Sequence, residues 1–262
     1  SIKTMSNGFA RYKIEGGLFA VSDDTYLILN RQQPYTIDIS SPTIVESFCL
    51  FFPDNWAEDL LHSATTPVHS LLDSLTPQQP FHFIERLHRH DNLVSPHIRQ
   101  LQTRTKQGLL TSGYLEEKLR FVLLNMLQMQ TNIFHEMERL PAVKSSTRLE
   151  LYRRLYRARD FMEASLGEPL RIDSIAAVAY LSPFHFMRAF KQLFGQTPHV
   201  YLTQKRIERA QFLLIHTERS VTEICFEVGF ESLGSFSTLF QRTIGLSPRA
   251  YRNAQFSRSN SR

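Results

Sequence analysis

The spacing of apolar residues changes once along this chain. From residue 9 to residue 52, apolar and polar positions alternate in short stretches, which is the period of half-buried β-strands. After residue 55, apolar positions recur every three or four residues, which is the period of amphipathic helices. The pattern therefore predicts an α+β fold, with strands first and helices afterwards. Five strands are predicted, over 9–14, 18–21, 26–29, 35–39 and 47–52.

Pairs of turn-forming residues separate the predicted strands. They are Gly16-Gly17, Asp23-Asp24, Gln33-Pro34 and Ser41-Pro42. Strands this short and evenly spaced are typical of a small antiparallel barrel or sandwich. Five strands are fewer than a full barrel has, so the segment predicts a partial barrel, in keeping either with sequence missing before Ser1 or with a degenerate domain.

A long apolar stripe marks the helical part between residues 55 and 140. Its members step by four and three along one predicted helix: Leu115, Leu119, Val122, Met126, Met129 and Ile133. The stripe can pack on the chain's own barrel. Leu123, Leu127 and Phe134 make it wider than one packing seam, so it can also face a second copy. We favour a homodimer contact through the stripe.

The last hundred residues contain a duplication. Residues 182–201 recur as residues 232–251, with a constant offset of 50. The matched pairs are Ser182/Ser232, Phe186/Phe236, Phe190/Phe240, Gly195/Gly245, Pro198/Pro248 and Tyr201/Tyr251. Two copies of one small helical unit indicate a surface that repeats in space, and double-stranded DNA is a polymer with a repeating groove.

Each copy predicts a helix, a turn and a second helix. Ser182 is an N-cap before Pro183, the second helix buries phenylalanines spaced four apart, and Gly195 ends it. The second copy has a longer turn by one residue. A continuous helix between the copies would hold both units for two successive major grooves. The alternative is a helical bundle with an accidental repeat. The exposed residues of the second helix must decide between the two, and in the first copy they include Arg188 and Lys191.

The residues in and around the duplication match a known signature. They are the runs 206–214 and 220–230, followed by Phe236, Phe240, Gly245 and Ser247-Pro248-Arg249-Ala250-Tyr251-Arg252. Over about Arg148 to Arg252, the chain resembles the AraC/XylS family of bacterial transcription regulators. The resemblance implies a DNA-binding domain of seven helices with two helix-turn-helix units.

Carried over residue by residue, the resemblance implies a set of DNA contacts. In the first recognition helix they are Pro183, Phe184, Met187, Arg188 and Lys191; in the second they are Leu233, Gly234, Ser235, Thr238 and Arg242. Leu233 and Gly234 depart from the family, because neither can form the bidentate hydrogen bonds that read bases. We therefore expect the second unit to position the protein on phosphates or to contact thymine methyl groups.

The resemblance also implies roles for the other segments. Residues 1–54 would be a cupin-like effector-binding barrel, 55–144 a helical dimerisation region and 145–253 the DNA-binding domain. The polar, Ser/Arg-rich composition of residues 254–262 predicts a disordered tail. RNA polymerase would be a partner, and the chain would be an activator that responds to a small-molecule effector. Candidate effector-binding residues are Arg11, Tyr12, Phe19, Tyr26 and Tyr35. Ordinary core or surface roles fit each of them equally, because alternation turns half of them outward.

Charge and cysteine content agree with a DNA-binding protein of a reducing compartment. Residues 145–262 hold 17 Lys and Arg against 10 Asp and Glu, whereas residues 1–144 hold 13 against 15. The basic half is the duplicated half, as phosphate binding requires. Cys49 and Cys225 are predicted to be buried thiols rather than a disulfide. With no apolar run of membrane-spanning length and no secretory signal, we predict a cytoplasmic, nucleoid-associated bacterial protein.

Enzyme classes find little support in the sequence. A metal-dependent cupin needs histidines on its strands, but the first histidine is His62, and His82, His88, His90 and His97 fall in a region predicted to be helical. Phosphate-loop, nucleophile-elbow and zinc-ligand spacings are missing. We predict no catalytic residues, metal or cofactor. A metal-independent cupin-type binding protein or enzyme with a helical appendage, and a non-DNA adaptor, remain as alternatives.

Overall fold

The computed structural model describes residues 1–14, 17–39, 44–65, 81–140 and 144–259. The chain forms two compact units, Ser1–Asp160 and Phe161–Arg262. The first unit holds strands and helices, and the second is helical, so the predicted α+β fold is confirmed. Ser41-Pro42 and Gly16 of the predicted turns lie outside the described residues.

Two antiparallel sheets form the N-terminal part of the first unit. The strands are β1 Ile2–Ser6, β2 Phe9–Ile14, β3 Gly17–Ser22, β4 Thr25–Ile28, β5 Tyr35–Asp38, β6 Glu46–Leu50 and β7 Leu87–Arg89. One sheet has the order β6-β1-β4-β7 and the other β3-β2-β5. All five predicted strands are present, with ends shifted by one or two residues.

Two strands were not predicted from the sequence. The pattern does not predict strand β1, because its residues, Ile2–Ser6, mix apolar and polar types in a short run. Strand β7 pairs with β4, with Leu27 opposite Leu87 and Tyr26 opposite His88. The prediction that His88 lies in a helix is therefore wrong. Three residues carry too little periodicity, and pairing with a distant strand decides the conformation.

Side-chain alternation gives the four-stranded sheet two buried faces. Met5, Leu27 and Leu29 belong to a cluster between the sheets, with residues of β2 and β3. Ile2 and Ile28 belong to a second cluster on the opposite face, which helices cover. Burial on both faces explains why every residue of β4 is buried.

Helices follow β6 along the chain, and β7 lies between the first two of those named here. In the first unit they are α1 Trp56–Thr65, α2 Ser95–Lys106 and α3 Ser112–Met137, and α4 Ser145–Ala164 runs from the first unit into the second. The side chain of Thr111 caps α3 by accepting a hydrogen bond from the backbone N of Tyr114. Helix α3 covers the sheet through Leu119, Val122, Leu123 and Met126.

The second unit repeats one arrangement of helices. Its members are α5 Ile172–Val178, α6 Pro183–Phe194, α7 Pro198–His216, α8 Val221–Glu227, α9 Leu233–Ile244 and α10 Pro248–Ser259. The predicted difference in turn length is confirmed, with three residues between α5 and the cap of α6 and four between α8 and the cap of α9. Because α10 extends to Ser259, residues 254–259 of the predicted disordered tail are helical; residues 260–262 lie outside the described residues.

Candidate nucleic-acid interface

Two serines and two glycines set the length of helices α6 and α9. The hydroxyl oxygens of Ser182 and Ser232 accept a hydrogen bond from the backbone N–H three residues on, at 3.4 and 3.3 Å. Each satisfies a donor in the first helical turn that has no partner within the helix. Gly195 and Gly245 end the helices with φ of 75° and 86°, in the left-handed region that favours glycine. The two helices therefore begin and end in the same register.

Aromatic rings fix which side of each helix faces inward. Phe190 meets the ring of Tyr201 at 5.6 Å with an angle of 75° between the planes, and Phe240 meets Tyr251 at 5.6 Å and 73°. A second phenylalanine one turn earlier, Phe186 or Phe236, is equally buried. Because the inward faces match, the outward faces of α6 and α9 occupy equivalent positions in the two units.

The outward face of α6 carries the positive charge. Phe184 is 73 % exposed, and Met187, Arg188 and Lys191 are also exposed. Among the described residues, neither Arg188 nor Lys191 has a carboxylate within ion-pairing distance. Pro183 is half-buried at the start of the helix. The face thus offers a guanidinium and an ammonium to an external partner, beside apolar side chains that suit thymine methyl groups.

The outward face of α9 has a different chemistry. Leu233, Gly234, Ser235 and Thr238 are exposed and uncharged, and Arg242 is exposed in the last turn. The hydroxyl of Ser235 already accepts a hydrogen bond from that of Ser232, at 3.3 Å. Only Arg242 among these side chains offers a charge.

Two arginines for which the sequence predicts no role brace the units internally. Arg206 of α7 donates from Nε to the carbonyl oxygen of Leu166 and from Nη2 to that of Glu168, both at 2.9 Å. Arg252 of α10 donates to the carbonyl oxygens of Leu214 and Arg219, at 3.1 and 2.5 Å. Each holds the chain segment that leads into the first helix of a unit. Burial lowers the pKa of Arg206 from its ordinary value. Both arginines belong to the runs that resemble the family signature, which is the sequence signal for them.

Three of the five predicted effector-binding residues lie together, because Phe19 is opposite Tyr12 in the strand pairing and the ring centre of Tyr35 is 5.6 Å from that of Tyr12. Tyr12 and Phe19 lie in the cluster between the sheets. Tyr26 lies in the cluster under the helices, where its hydroxyl donates to the Asp91 carboxylate at 2.7 Å. Arg11 is half-buried against the ring of Phe9. Tyr35 also lines a pocket of the first unit.

The predicted dimerisation stripe faces the interior of the first unit. Leu119, Val122, Met126 and Ile133 are at most 7 % exposed, and Leu115 and Met129 pack against the same cluster. These side chains cannot form a contact with a second copy while they cover the sheet, which corrects the assignment of the stripe. The exposed large apolar residues of α3 lie elsewhere on the helix, at Phe121, Leu124 and Phe134.

Histidines and cysteines of the described residues form no metal site. No group of three or more His, Cys, Asp or Glu side chains in this part of the chain could hold a metal ion. Cys49 and Cys225 are free thiols. No helix in the described ranges has the length and apolar character needed to cross a membrane.

Comparison with known proteins agrees with the geometry of the second unit. A family model for a helix-turn-helix domain matches residues 175–254. The regulatory protein PocR of Salmonella typhimurium is 28 % identical over 146 residues, which is 55 % of this chain and 45 % of PocR. The transcriptional activator RhaS of Enterobacter sp. is 29 % identical over 187 residues, 70 % of this chain and 63 % of RhaS. The MmsAB operon regulatory protein of Pseudomonas aeruginosa is 37 % identical over 92 residues, 35 % of this chain and 30 % of that protein. The chain thus spans about a third to two thirds of the length of these relatives.

Proposed function

We infer that this chain, which belongs to the AraC/XylS family of transcription regulators through its helix-turn-helix domain, binds DNA in a sequence-specific manner to regulate transcription. The observation that carries the proposal is the repeated outward face of α6 and α9, set by equivalent caps and equivalent phenylalanines. A repeated face of this kind suits a polymer whose groove repeats.

The outward faces of α6 and α9 would have different roles in DNA recognition. Arg188 is the candidate base reader, because a guanidinium can donate two hydrogen bonds to guanine in the major groove. Lys191 and Arg242 would contact phosphates, which position the protein without reading sequence. Leu233, Ser235 and Thr238 would contact thymine methyl groups or the backbone. We propose that α6 and α9 occupy two adjacent major grooves.

Regulation would involve the first unit. We propose an effector-responsive activator in which residues 1–54 serve effector binding, residues 55–144 serve dimerisation and residues 145–253 bind DNA, with RNA polymerase as a partner on the promoter. RhaS, a relative named as an activator, supports the direction of regulation. A cytoplasmic, nucleoid-associated location follows from this proposal.

Dimerisation would use the exposed side of α3. Leu124 and Phe134 are 42 % and 49 % exposed. Apolar side chains on the outer face of a helix can pack against a helix of a second copy. Light scattering of the full chain should report a dimer, and Leu124→Glu should give a folded monomer. Val122→Glu is the contrasting variant, because its charge enters the core and should unfold the unit. A folded monomeric wild type would refute the dimer.

DNA binding is tested by mobility shift with pooled fragments of bacterial genomic DNA. The full chain should select a subset of fragments, and Arg188→Ala should weaken the selected complexes by about 1–3 kcal/mol. The control is Arg171→Ala, an exposed arginine outside both recognition helices. If the full chain binds all fragments equally well, the proposed sequence-specific function is refuted. If Arg188→Ala weakens binding to selected and random DNA equally, Arg188 contacts phosphate rather than a base.

A further inference from the structure

A lysine lies almost fully buried in the first sheet. Lys3 is 1 % exposed in the middle of β1, between neighbours on β4 and β6. Side chains alternate along a strand, so Lys3 shares the face of Met5, which points between the two sheets. A lysine in such a position has lost most of the water that normally solvates its ammonium group.

The ammonium group of Lys3 contacts two aromatic rings. Its Nζ atom lies 4.2 Å from the ring centre of Phe51 and 5.3 Å from that of Tyr35. Within the described ranges of the chain, no carboxylate comes within ion-pairing distance of it. Cation–π contacts offset only part of the cost of removing a charge from water. An anion beside Nζ would offset more of that cost, because opposite charges attract strongly where water is excluded.

The same lysine lines a pocket of the first unit. The pocket has a volume of about 320 Å³, at the lower end of the range that small-molecule sites occupy. Tyr35 and Phe51 line it beside Lys3. Aliphatic side chains from the sheet and from α3 form another part of its wall: Ile28, Leu29, Leu123 and Met126.

Other charged groups of the pocket are already engaged. Arg31 pairs with Asp54 at 3.3 Å near the surface, and a carboxylate oxygen of Glu58 accepts a hydrogen bond from the backbone N of Phe81 at 3.0 Å. The amino group of Ser1 also lines the pocket, where it donates a hydrogen bond to the carbonyl oxygen of Leu29 at 2.9 Å. Burial and the nearby charge of Lys3 lower the pKa of this amino group to about 6, so it is mostly neutral at pH 7. Lys3 is therefore the charge that a ligand would neutralise, and one buried cation beside apolar walls fits a ligand with a single negative charge and an apolar body.

We propose that this pocket binds a small monocarboxylate with an aliphatic or aromatic body, with its carboxylate on Nζ of Lys3. The carboxylate takes the place of the Phe51 ring, whose residue is 66 % exposed and has room to turn outward. The inference rests on the proposed effector-responsive function, and it moves the effector site from the strand residues Tyr12, Phe19 and Tyr26 to the pocket at Lys3.

The test compares acids with their neutral amides on the full chain. Hexanoate and benzoate are titrated at up to millimolar concentration, with hexanamide and benzamide as matched probes, and ligand-observed NMR measures binding. Trp56, the single tryptophan, neighbours the pocket-lining residues Asn55 and Ala57 and gives a fluorescence readout for hexanoate. At least one acid should bind about 10-fold more tightly than its amide, the ratio expected for a hydrogen bond to a charged group.

Two variants test which cation of the pocket binds the acid. Lys3→Met keeps an unbranched buried side chain and should weaken the acid at least about 10-fold while leaving the amide unchanged. Arg31→Met removes the exposed cation of the same pocket and should change acid binding by less than about 3-fold. Circular dichroism checks that each variant is folded. If Lys3→Met folds poorly, the comparison of acid with amide on the wild type still decides.

Three results would overturn the proposal: neither acid binds, acid and amide bind equally, or folded Lys3→Met keeps full acid binding. DNA binding is measured on the same samples without ligand. If the chain retains specific DNA binding but fails these tests, only the proposed monocarboxylate site is refuted. If the chain binds the acids but not DNA, the proposed regulatory function is refuted.

Discussion

Tyr180 and Gly229 occupy equivalent places in the turns of the two helix-turn-helix units, and both have left-handed backbone, with φ of 53° and 86°. Their surroundings differ. Tyr180 is 69 % exposed. A Cβ at Gly229 would lie 2.7 Å from Nη2 of Arg206 and still closer to the carbonyl oxygen of Leu166. The second turn therefore needs glycine for space as well as for conformation.

The first prediction concerns this turn. Gly229→Ala should lower the free energy of unfolding of the full chain by at least about 2 kcal/mol, because a methyl group combines left-handed strain with a clash against Leu166 and Arg206. Gly195→Ala is the matched control, since its φ is also positive but nothing lies within 4 Å, and it should cost about 1 kcal/mol. Urea unfolding measures both. Equal losses would show that space around Gly229 does not matter.

A second prediction concerns Glu136 in α3. Burial alone would raise its pKa, but Arg86 at 3.1 Å and the hydroxyls of Tyr152 and Tyr156, at 2.7 and 3.0 Å, outweigh burial and hold the pKa below the ordinary value of 4.5. The resulting stability is present above the ordinary pKa and is lost as pH falls through the lower folded one. Glu136→Gln should therefore cost about 1 kcal/mol at neutral pH, a modest figure because the carboxylate is partly exposed.

Unfolding curves from pH 7 to pH 3 measure this contribution. The free energies of unfolding of the wild type and of Glu136→Gln should become equal towards the acid end of this range. A constant difference across the whole range would mean that the carboxylate charge is not what stabilises the cluster.

A third prediction concerns His88 on β7. Burial, together with the charges of Arg86 and Arg159, holds its pKa well below the ordinary value of 6.5. Below that pH, the unfolded chain binds a proton at this position and the folded chain does not. The free energy of unfolding should therefore fall with decreasing pH, by up to about 1.4 kcal/mol per pH unit for one such group.

His88→Phe is the variant that tests this. It preserves an aromatic ring against Tyr26, which stacks on His88 at 5.2 Å. The variant should show a flatter pH dependence between pH 6.5 and 5 than the wild type. The same slope in both would assign the pH dependence to other groups.

How far the sequence predicts this structure depends on the range of the interactions. The caps at Ser182 and Ser232 and the stops at Gly195 and Gly245 are local, so the sequence predicts them directly. Strand β7 depends on pairing with a strand about sixty residues earlier, which periodicity does not report.

Burial of charged and apolar groups was harder to predict than secondary structure. The stripe on α3 was visible, but periodicity alone cannot distinguish a face that covers its own sheet from one that meets a partner. The sequence does not predict the burial of Lys3, because a lysine in a short polar and apolar run is expected to be exposed. Its burial depends on the neighbouring strands.

A fourth prediction follows from the unequal chemistry of α6 and α9. A scan of single base changes in a selected site should show a sharp half and a weaker half, with the sharp half under α6. Arg188→Ala should flatten the preference at one base pair of the sharp half, whereas Arg242→Ala should weaken all sequences alike. Two equally sharp halves would show that Leu233 and its neighbours read bases after all.

The most direct test of the central claim is a hydroxyl-radical footprint of the full chain on a selected DNA fragment. Two recognition helices in adjacent major grooves predict two protected patches on one side of the duplex, about 10 base pairs apart. Arg188→Ala should weaken one patch and Arg242→Ala the other. A single protected patch, or protection that is equal on random DNA, would contradict the account.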